Sequence, residues 1–356
     1  MWLTSSSIGR KFVMAVTGCA LVLLVTFNCL MNTVAILWPA AYNEICMFLG
    51  ANWYALIASM GLALLFIIHI IYALWLTIQN RAARGEDRYA VTTLPPHVEW
   101  SSKNMLVLGI VVLAFLGVHL IQFWAKMQLQ EVMGTHCVVD GVAQAPEFGT
   151  LFLQLAFNNI WTPIIYIIGF VALWLHMTHG FWSMFHTVGW DNNRWIERLK
   201  KIGNAWTTIV VLLFVAQVVA FSIYAKGNKF LTDPACQAQY AQYWSEQAEE
   251  LNASLMDDVQ KASQDAQIYD QDSYMRACMP VFEKYMPKYE QLTAAVNAQC
   301  PDAQNEALQS AKQFSQQMQM MVEQYQQSQQ LHEMSQPAPA PVVVEEEAVE
   351  ETVVEE

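Results

Sequence analysis

Five long apolar stretches dominate the first two thirds of the chain, at about 12–38, 53–78, 105–127, 157–185 and 205–225. As helices rising about 1.5 Å per residue, each can cross a hydrocarbon core about 30 Å thick. The first is too long for a secretory apolar core and lacks a small-residue cleavage pattern, so it reads as a retained transmembrane helix. Lys and Arg fall in alternate connections. Arg10 and Lys11 precede the first span, Arg81, Arg84 and Arg88 follow the second, and Arg194, Arg198, Lys200 and Lys201 follow the fourth. The other short loops, 39–52 and 130–156, contain neither residue type. The positive-inside rule then predicts a cytoplasmic amino terminus and an external carboxyl terminus.

Beyond residue 229 the pattern changes. Tyr240, Trp244, Ala248, Leu251, Leu255, Val259 and Ala262 repeat at helical spacing and predict an amphipathic helix over 237–265. Pro280, Pro287 and Pro301 are expected to punctuate the segment after it. Leu308, Ala311, Ser315, Met318, Val322 and Tyr325 alternate three-and-four spacing in a Gln-rich setting, which suggests a helical hairpin or short coiled coil. From 336 a Pro-Ala run and a Val-Glu tail have the composition of a disordered segment. The expected fold class is therefore all-α, with a five-helix transmembrane bundle (1–229), an external helical extension (230–335) and a disordered acidic tail (336–356).

Charge follows the same division. The chain has 55% hydrophobic and 14% charged residues and a formal net charge of −13, but this averages a weakly basic membrane part with a strongly acidic extension. Nothing resembles a nucleic-acid-binding surface. Cys19 and Cys29 lie in the first span, while Cys46, Cys137, Cys236, Cys278 and Cys300 are placed outside, where disulfides can form. Spacing leaves the pairing of Cys236, Cys278 and Cys300 open. There is no zinc or haem-attachment Cys motif, no Gly-rich nucleotide loop and no Ser-His-Asp arrangement.

The chemistry-bearing residues inside the spans are histidines. Trp174–Gly189 holds His176, His179 and His186, and a group able to carry charge at membrane depth is kept facing a partner inside the bundle. Depth can be counted along each helix. His69 and His176 lie 12 and 18 residues before the first Arg of their following loops, Arg81 and Arg194, which puts both in the cytoplasmic half. Two imidazoles at similar depth on different helices can clamp one haem iron from its two faces. His119 lies 16 residues past Lys103, in the external half, and Asn28 stands at the matching depth in the first span.

Four segments then carry a family resemblance. S-S-S-I-G-R-K-F-V-M-A-V-T-G (Ser5 to Gly18), H-I-I-Y-A-L-W-L-T-I-Q-N-R-A-A-R (His69 to Arg84), V-H-L-I-Q-F-W (Val118 to Trp124) and L-H-M-T-H-G-F-W-S-M-F (Leu175 to Phe185) resemble the cytochrome b anchor subunit of succinate dehydrogenase and fumarate reductase. The resemblance is to the single-chain class with five helices and covers about 5–225. It implies two b haems, with His69 and His176 on the inner iron and His119 on the outer. The usual partner of His119 is replaced here by Asn28, so the outer haem is either absent or ligated differently, with Met31 one turn beyond Asn28 as a substitute. It also implies electron transfer between a membrane quinone such as menaquinone and a cytoplasmic iron-sulfur subunit. The flavin and dicarboxylate site would lie on a flavoprotein subunit, and the location would be the bacterial inner membrane with a periplasmic carboxyl terminus. A homodimer of such complexes is compatible with it.

Other residues keep two readings. Arg10, Arg81 and Arg84, with Lys11, either meet propionates or an acidic partner, or only set topology. His179 either hydrogen-bonds a quinone or propionate, or joins helices. Glu44 is a candidate for proton exchange with a quinol, or a solvated loop carboxylate, and His97 and His186 read as surface residues. The rival functions are a cytochrome b anchor of another quinone-linked dehydrogenase or hydrogenase, and a haem-free scaffold.

Overall fold

The structure, a computed structural model, describes residues 6–50, 52–84, 100–190, 192, 194–265 and 270–335. Arg88, His97 and the acidic tail lie outside the described residues, as does the side chain of Arg84. The described residues form two units. One lies within Met1–Glu250 and Gln291–Leu308, the other within Leu251–Glu290 and Gln309–Glu356.

Among the described residues the architecture is all-α apart from one small hairpin. Among the described residues, five helices are long and apolar enough to cross a membrane: α1 (Ser7–Leu37), α3 (Trp53–Arg84), α5 (Met105–His119, continued by a π-helical turn over Leu120–Trp124), α8 (Trp161–Thr187) and α9 (Ile196–Lys226). They make this a multi-pass membrane protein. α1 starts earlier than hydropathy suggests because Ser6 caps it, its hydroxyl accepting from the Gly9 N–H at 2.9 Å. The fourth span starts later than expected. Phe157 ends a separate helix, α7 (Gly149–Phe157), and Asn159 accepts from the Trp161 N–H at 2.9 Å to begin α8.

The two connections expected as loops are also structured. The break at Trp38 is followed at once by α2 (Pro39–Phe48), with proline at the first helical position, where its missing N–H costs nothing. The second connection holds α6 (Gln128–Met133) and a hairpin, β1 (Cys137–Val139) with β2 (Val142–Gln144), before α7. Asp140 and Gly141 both have positive φ, 51° and 79°, as a two-residue hairpin turn with the strands' twist requires. A four-residue helix, α4 (Trp100–Lys103), precedes α5.

Among the spans, α8 packs on α9, α1 and α5, while α3 packs chiefly on α1 and scarcely meets α5. Lipid provides no hydrophobic drive between helices, so close packing and polar contacts hold them. Gly169 and Gly203 give the close approach: a Cβ at Gly169 would overlap the Phe115 ring, and one at Gly203 the Phe181 ring. Gln217 of α9 donates to the Cys29 carbonyl at 2.8 Å and to Thr33 Oγ1 at 2.9 Å on α1. Phe170 and Phe214 stack at 4.8 Å.

α10 (Lys229–Thr232) leads to α11 (Pro234–Asp265), α12 (Gln271–Gln299) and α13 (Glu306–Ser335). In the first unit, Trp244 donates to Gln299 Oε1 at 2.8 Å, and the Gln299 amide donates to the Ala143 carbonyl of the hairpin at 2.8 Å. In the second, Asp258 accepts from Lys284 at 2.7 Å and Tyr285 at 2.9 Å, and Tyr289 bonds Asn252. Pro280 and Pro287 sit inside α12 and do not end it, contrary to expectation; Pro301 does lie in the turn after it. The buried neighbours Phe282, Tyr285, Tyr289 and Leu292 give the helix a packed face, and tertiary packing of that kind outweighs the local cost of a proline. The stripe Ala311, Ser315, Met318 and Val322 is buried.

Candidate functional site

Pairwise contacts fix the register of the spans. α1 and α3 are antiparallel, with Thr17 opposite His69 and Arg10 opposite Trp75. α5 and α8 are likewise antiparallel, with Gly109 opposite His176, Phe115 opposite Phe170, His119 opposite Tyr166 and Gln122 opposite Thr162. His176 is close enough to His69 and His179 for their charges to interact. The two imidazoles that depth counting pairs, on α3 and α8, thus both lie in the basic half of the bundle, within reach of each other's charge. His119 and Tyr166 form a second level, about 15 Å along α8 from His176 at 1.5 Å per residue.

The first level has two histidines whose surroundings are compatible with binding a metal through imidazole nitrogen. Thr17 Oγ1 lies 3.0 Å from His69 Nδ1 and also 2.9 Å from the Val13 carbonyl and 3.1 Å from that of Met14. With the single hydroxyl proton directed at one of these carbonyls, the Thr17 oxygen accepts from His69 Nδ1–H. Nε2 of His69 is left with its lone pair, the form of imidazole that binds iron. His176 Nδ1 is buried and has no hydrogen-bond partner among the described residues. Glycines face both rings: a Cβ at Gly18 would stand 3.7 Å from His69 Cε1, and one at Gly109 3.6 Å from His176 Cε1. No group of three or more His, Cys, Asp or Glu is gathered among the described residues, but a haem takes only its axial ligands from the protein.

The second level does not fit a bis-histidine haem. His119 Nδ1 is 3.2 Å from the Tyr166 hydroxyl, and its ring is flanked by Phe123 at 5.2 Å, Tyr166 at 6.2 Å and Phe115 at 6.4 Å. Asn28 is exposed, and its side-chain amide donates to the Leu24 carbonyl of its own helix at 3.1 Å. Asn28 therefore supplies no second ligand. Met31, one turn further along α1, is half-buried.

The remaining candidates disperse. The Arg10 guanidinium lies 5.3 Å from the Trp75 ring centre, at the basic end of the α1–α3 pair, while Lys11 and Arg81 are exposed. His179 packs edge-on to Trp182 at 5.0 Å, and His186 is exposed near the end of α8. Glu44 lies on α2 instead of in a loop, exposed, with its carboxylate accepting from Gln239 of α11 at 2.6 Å.

That contact leads to a buried polar network at the opposite end, which sequence reasoning missed. Asn43, fully buried, donates to Gln239 Oε1 at 3.0 Å and accepts from the Thr150 N–H at 3.1 Å and hydroxyl at 2.7 Å. Thr150 Oγ1 is 2.7 Å from the Tyr240 hydroxyl. Its members come from segments far apart along the chain, so no local pattern announces them. Burial, together with Asp233, pushes the Cys236 thiol up to about 12, and burial raises Cys46 to about 12, so both are neutral thiols at pH 7. Cys236 and Cys278 are free thiols, and each pairing left open by the spacing would have needed one of them.

The polar rung Gln122–Thr162 was also missed. Gln122 lies in the π-helical turn, donates to Thr162 at 3.2 Å and lines a cavity of about 160 Å³ with Lys126 and Asn159. No family model, curated protein or solved structure matches the chain.

Proposed function

We propose that this chain is the haem b-containing membrane anchor of a complex of the succinate dehydrogenase and fumarate reductase type, passing electrons between a membrane quinone and an iron-sulfur subunit at the basic end. The observation that supports this most is that His69 and His176, on different helices of the basic half, lie within reach of each other's charge, with Thr17 Oγ1 at His69 Nδ1 so that Nε2 can keep its lone pair. A bound haem b would supply a one-electron store between a two-electron quinol and a one-electron cluster. The chain's own residues do the rest. His69 and His176 would hold the iron, the α1, α3 and α8 side chains would exclude water from it, and Arg10 and Arg81, with Lys11, would offer positive charge to propionates or to an acidic partner surface. One haem is proposed, because Asn28 and the caged His119 provide no second axial pair. Quinone chemistry then belongs in the basic half, near that haem.

Purification of the tagged chain from its native membranes tests this reading. A flavoprotein and an iron-sulfur protein should co-purify, and succinate should reduce the haem. Co-purification with hydrogenase subunits would favour the rival anchor. A colourless preparation without partners would favour the haem-free scaffold, which the Asn43–Thr150–Tyr240 anchor suits.

A further inference from the structure

We propose that Thr17 is a positioning residue that holds His69 in the Nδ1–H tautomer and thereby tunes the potential of the iron His69 binds. The inference rests on the haem reading above and goes beyond it by giving a role to a residue outside the ligand pair. Thr17 is buried at 6% exposure, and its hydroxyl is within donating distance of the Val13 and Met14 carbonyls of its own helix, at 2.9 and 3.1 Å. The lone pair it turns to His69 Nδ1 at 3.0 Å does two things. It fixes the ring orientation, and by accepting the Nδ1 proton it raises the electron-donating power of Nε2. No such partner faces Nδ1 of His176 among the described residues, so the two axial ligands are unequal and the adjustable one is on α3. A stronger donor stabilises ferric over ferrous iron. The Thr17 hydroxyl therefore keeps the potential lower than an unassisted imidazole would.

The test uses the full complex with Thr17→Val, which keeps the shape of the side chain and removes the acceptor, and Thr17→Ser, which restores it. Haem content comes first. If wild-type complex has no haem, or His69→Ala keeps it, the haem reading itself fails and Thr17 has nothing to tune. If wild type has haem and His69→Ala loses it, redox titration and low-temperature ferric EPR are read on both Thr17 variants. The expected result for Thr17→Val is a higher midpoint potential and shifted low-spin g values. A tenfold loss of affinity confined to the ferric state corresponds to about 59 mV for a one-electron couple. Thr17→Ser should return to wild type. A residue that only packs would lower haem retention or thermal stability without moving the potential. An unchanged potential and spectrum in Thr17→Val, or a serine variant indistinguishable from the valine one, would overturn the proposal. Should Thr17→Val fail to assemble, Thr17→Ala is read in the same way.

Discussion

Thr17 and Asn28 lie on the same helix, three turns apart, and each is a short polar side chain that bonds to its own backbone. Thr17 still has a lone pair to offer a histidine, whereas the Asn28 amide is turned to Leu24 and its residue is exposed. Counting depth from the flanking charges puts His69 and His176 in the same half, because helical rise is constant. It could not reveal Thr17, since a hydroxyl in an apolar span reads first as a self-bonded side chain. Nor could it reveal Asn43, whose partners come from α7 and α11. Asn43 carries the residue-scale stability prediction. Asn43→Leu strips Thr150 and Gln239 of buried partners, and each such loss costs about 1–3 kcal/mol. A clear drop in melting temperature of the detergent-solubilised protein is expected, with faster proteolysis near the start of α11. Unchanged melting would mean the network contributes little.

At the scale of elements, hydropathy located the five spans because twenty apolar residues in a row have few other uses. Their ends were less legible, since caps and breaks depend on single residues: Ser6 lengthens α1, Asn159 starts α8, and Pro39 restarts a helix directly after the first span. The hairpin at Asp140–Gly141 was readable in principle, because Asp-Gly between apolar residues is a strong local turn signal. The packing of α8 gives a paired prediction. Gly169→Ala should destabilise by about 1–3 kcal/mol through overlap with Phe115, while Gly180→Ala, with open space around its Cβ, should be neutral or slightly stabilising. Equal melting temperatures for the two variants would contradict the close α5–α8 contact.

The connection around the hairpin carries a pH prediction. His136 Nε2 is 2.8 Å from the Tyr243 hydroxyl, its ring lies 5.3 Å from that of Trp244, and burial lowers its pKa below the ordinary imidazole range. Carboxylates of Glu131, Glu147, Glu246 and Glu250 surround Tyr243. Near pH 6.5 the unfolded chain takes up a proton that the folded connection resists. The His136 contribution is thus complete above pH 6.5 and fades as pH falls toward the depressed folded value. Glu147, raised by burial and by Glu246, acts with the opposite slope at lower pH. Melting temperature should therefore fall less between pH 7.5 and 5.5 in His136→Gln than in wild type. Parallel curves would count against this.

At the scale of the whole molecule, charge and hydropathy change near residue 229, whereas the first compact unit runs on to Glu250 and takes in Gln291–Leu308. Long-range pairing was beyond that pattern: the α11 and α12 segments around Trp244 and Gln299 close on the hairpin of the membrane part, and no periodicity encodes that. On the proposed function, redox chemistry is concentrated in the basic half and the opposite end is given to polar anchoring. The most direct measurement is haem b per polypeptide, by pyridine haemochrome against amino-acid analysis, in wild type and three variants. One haem is predicted, lost in His69→Ala and in His176→Ala and retained in His119→Ala. Two haems, or a single haem that disappears with His119, would contradict it.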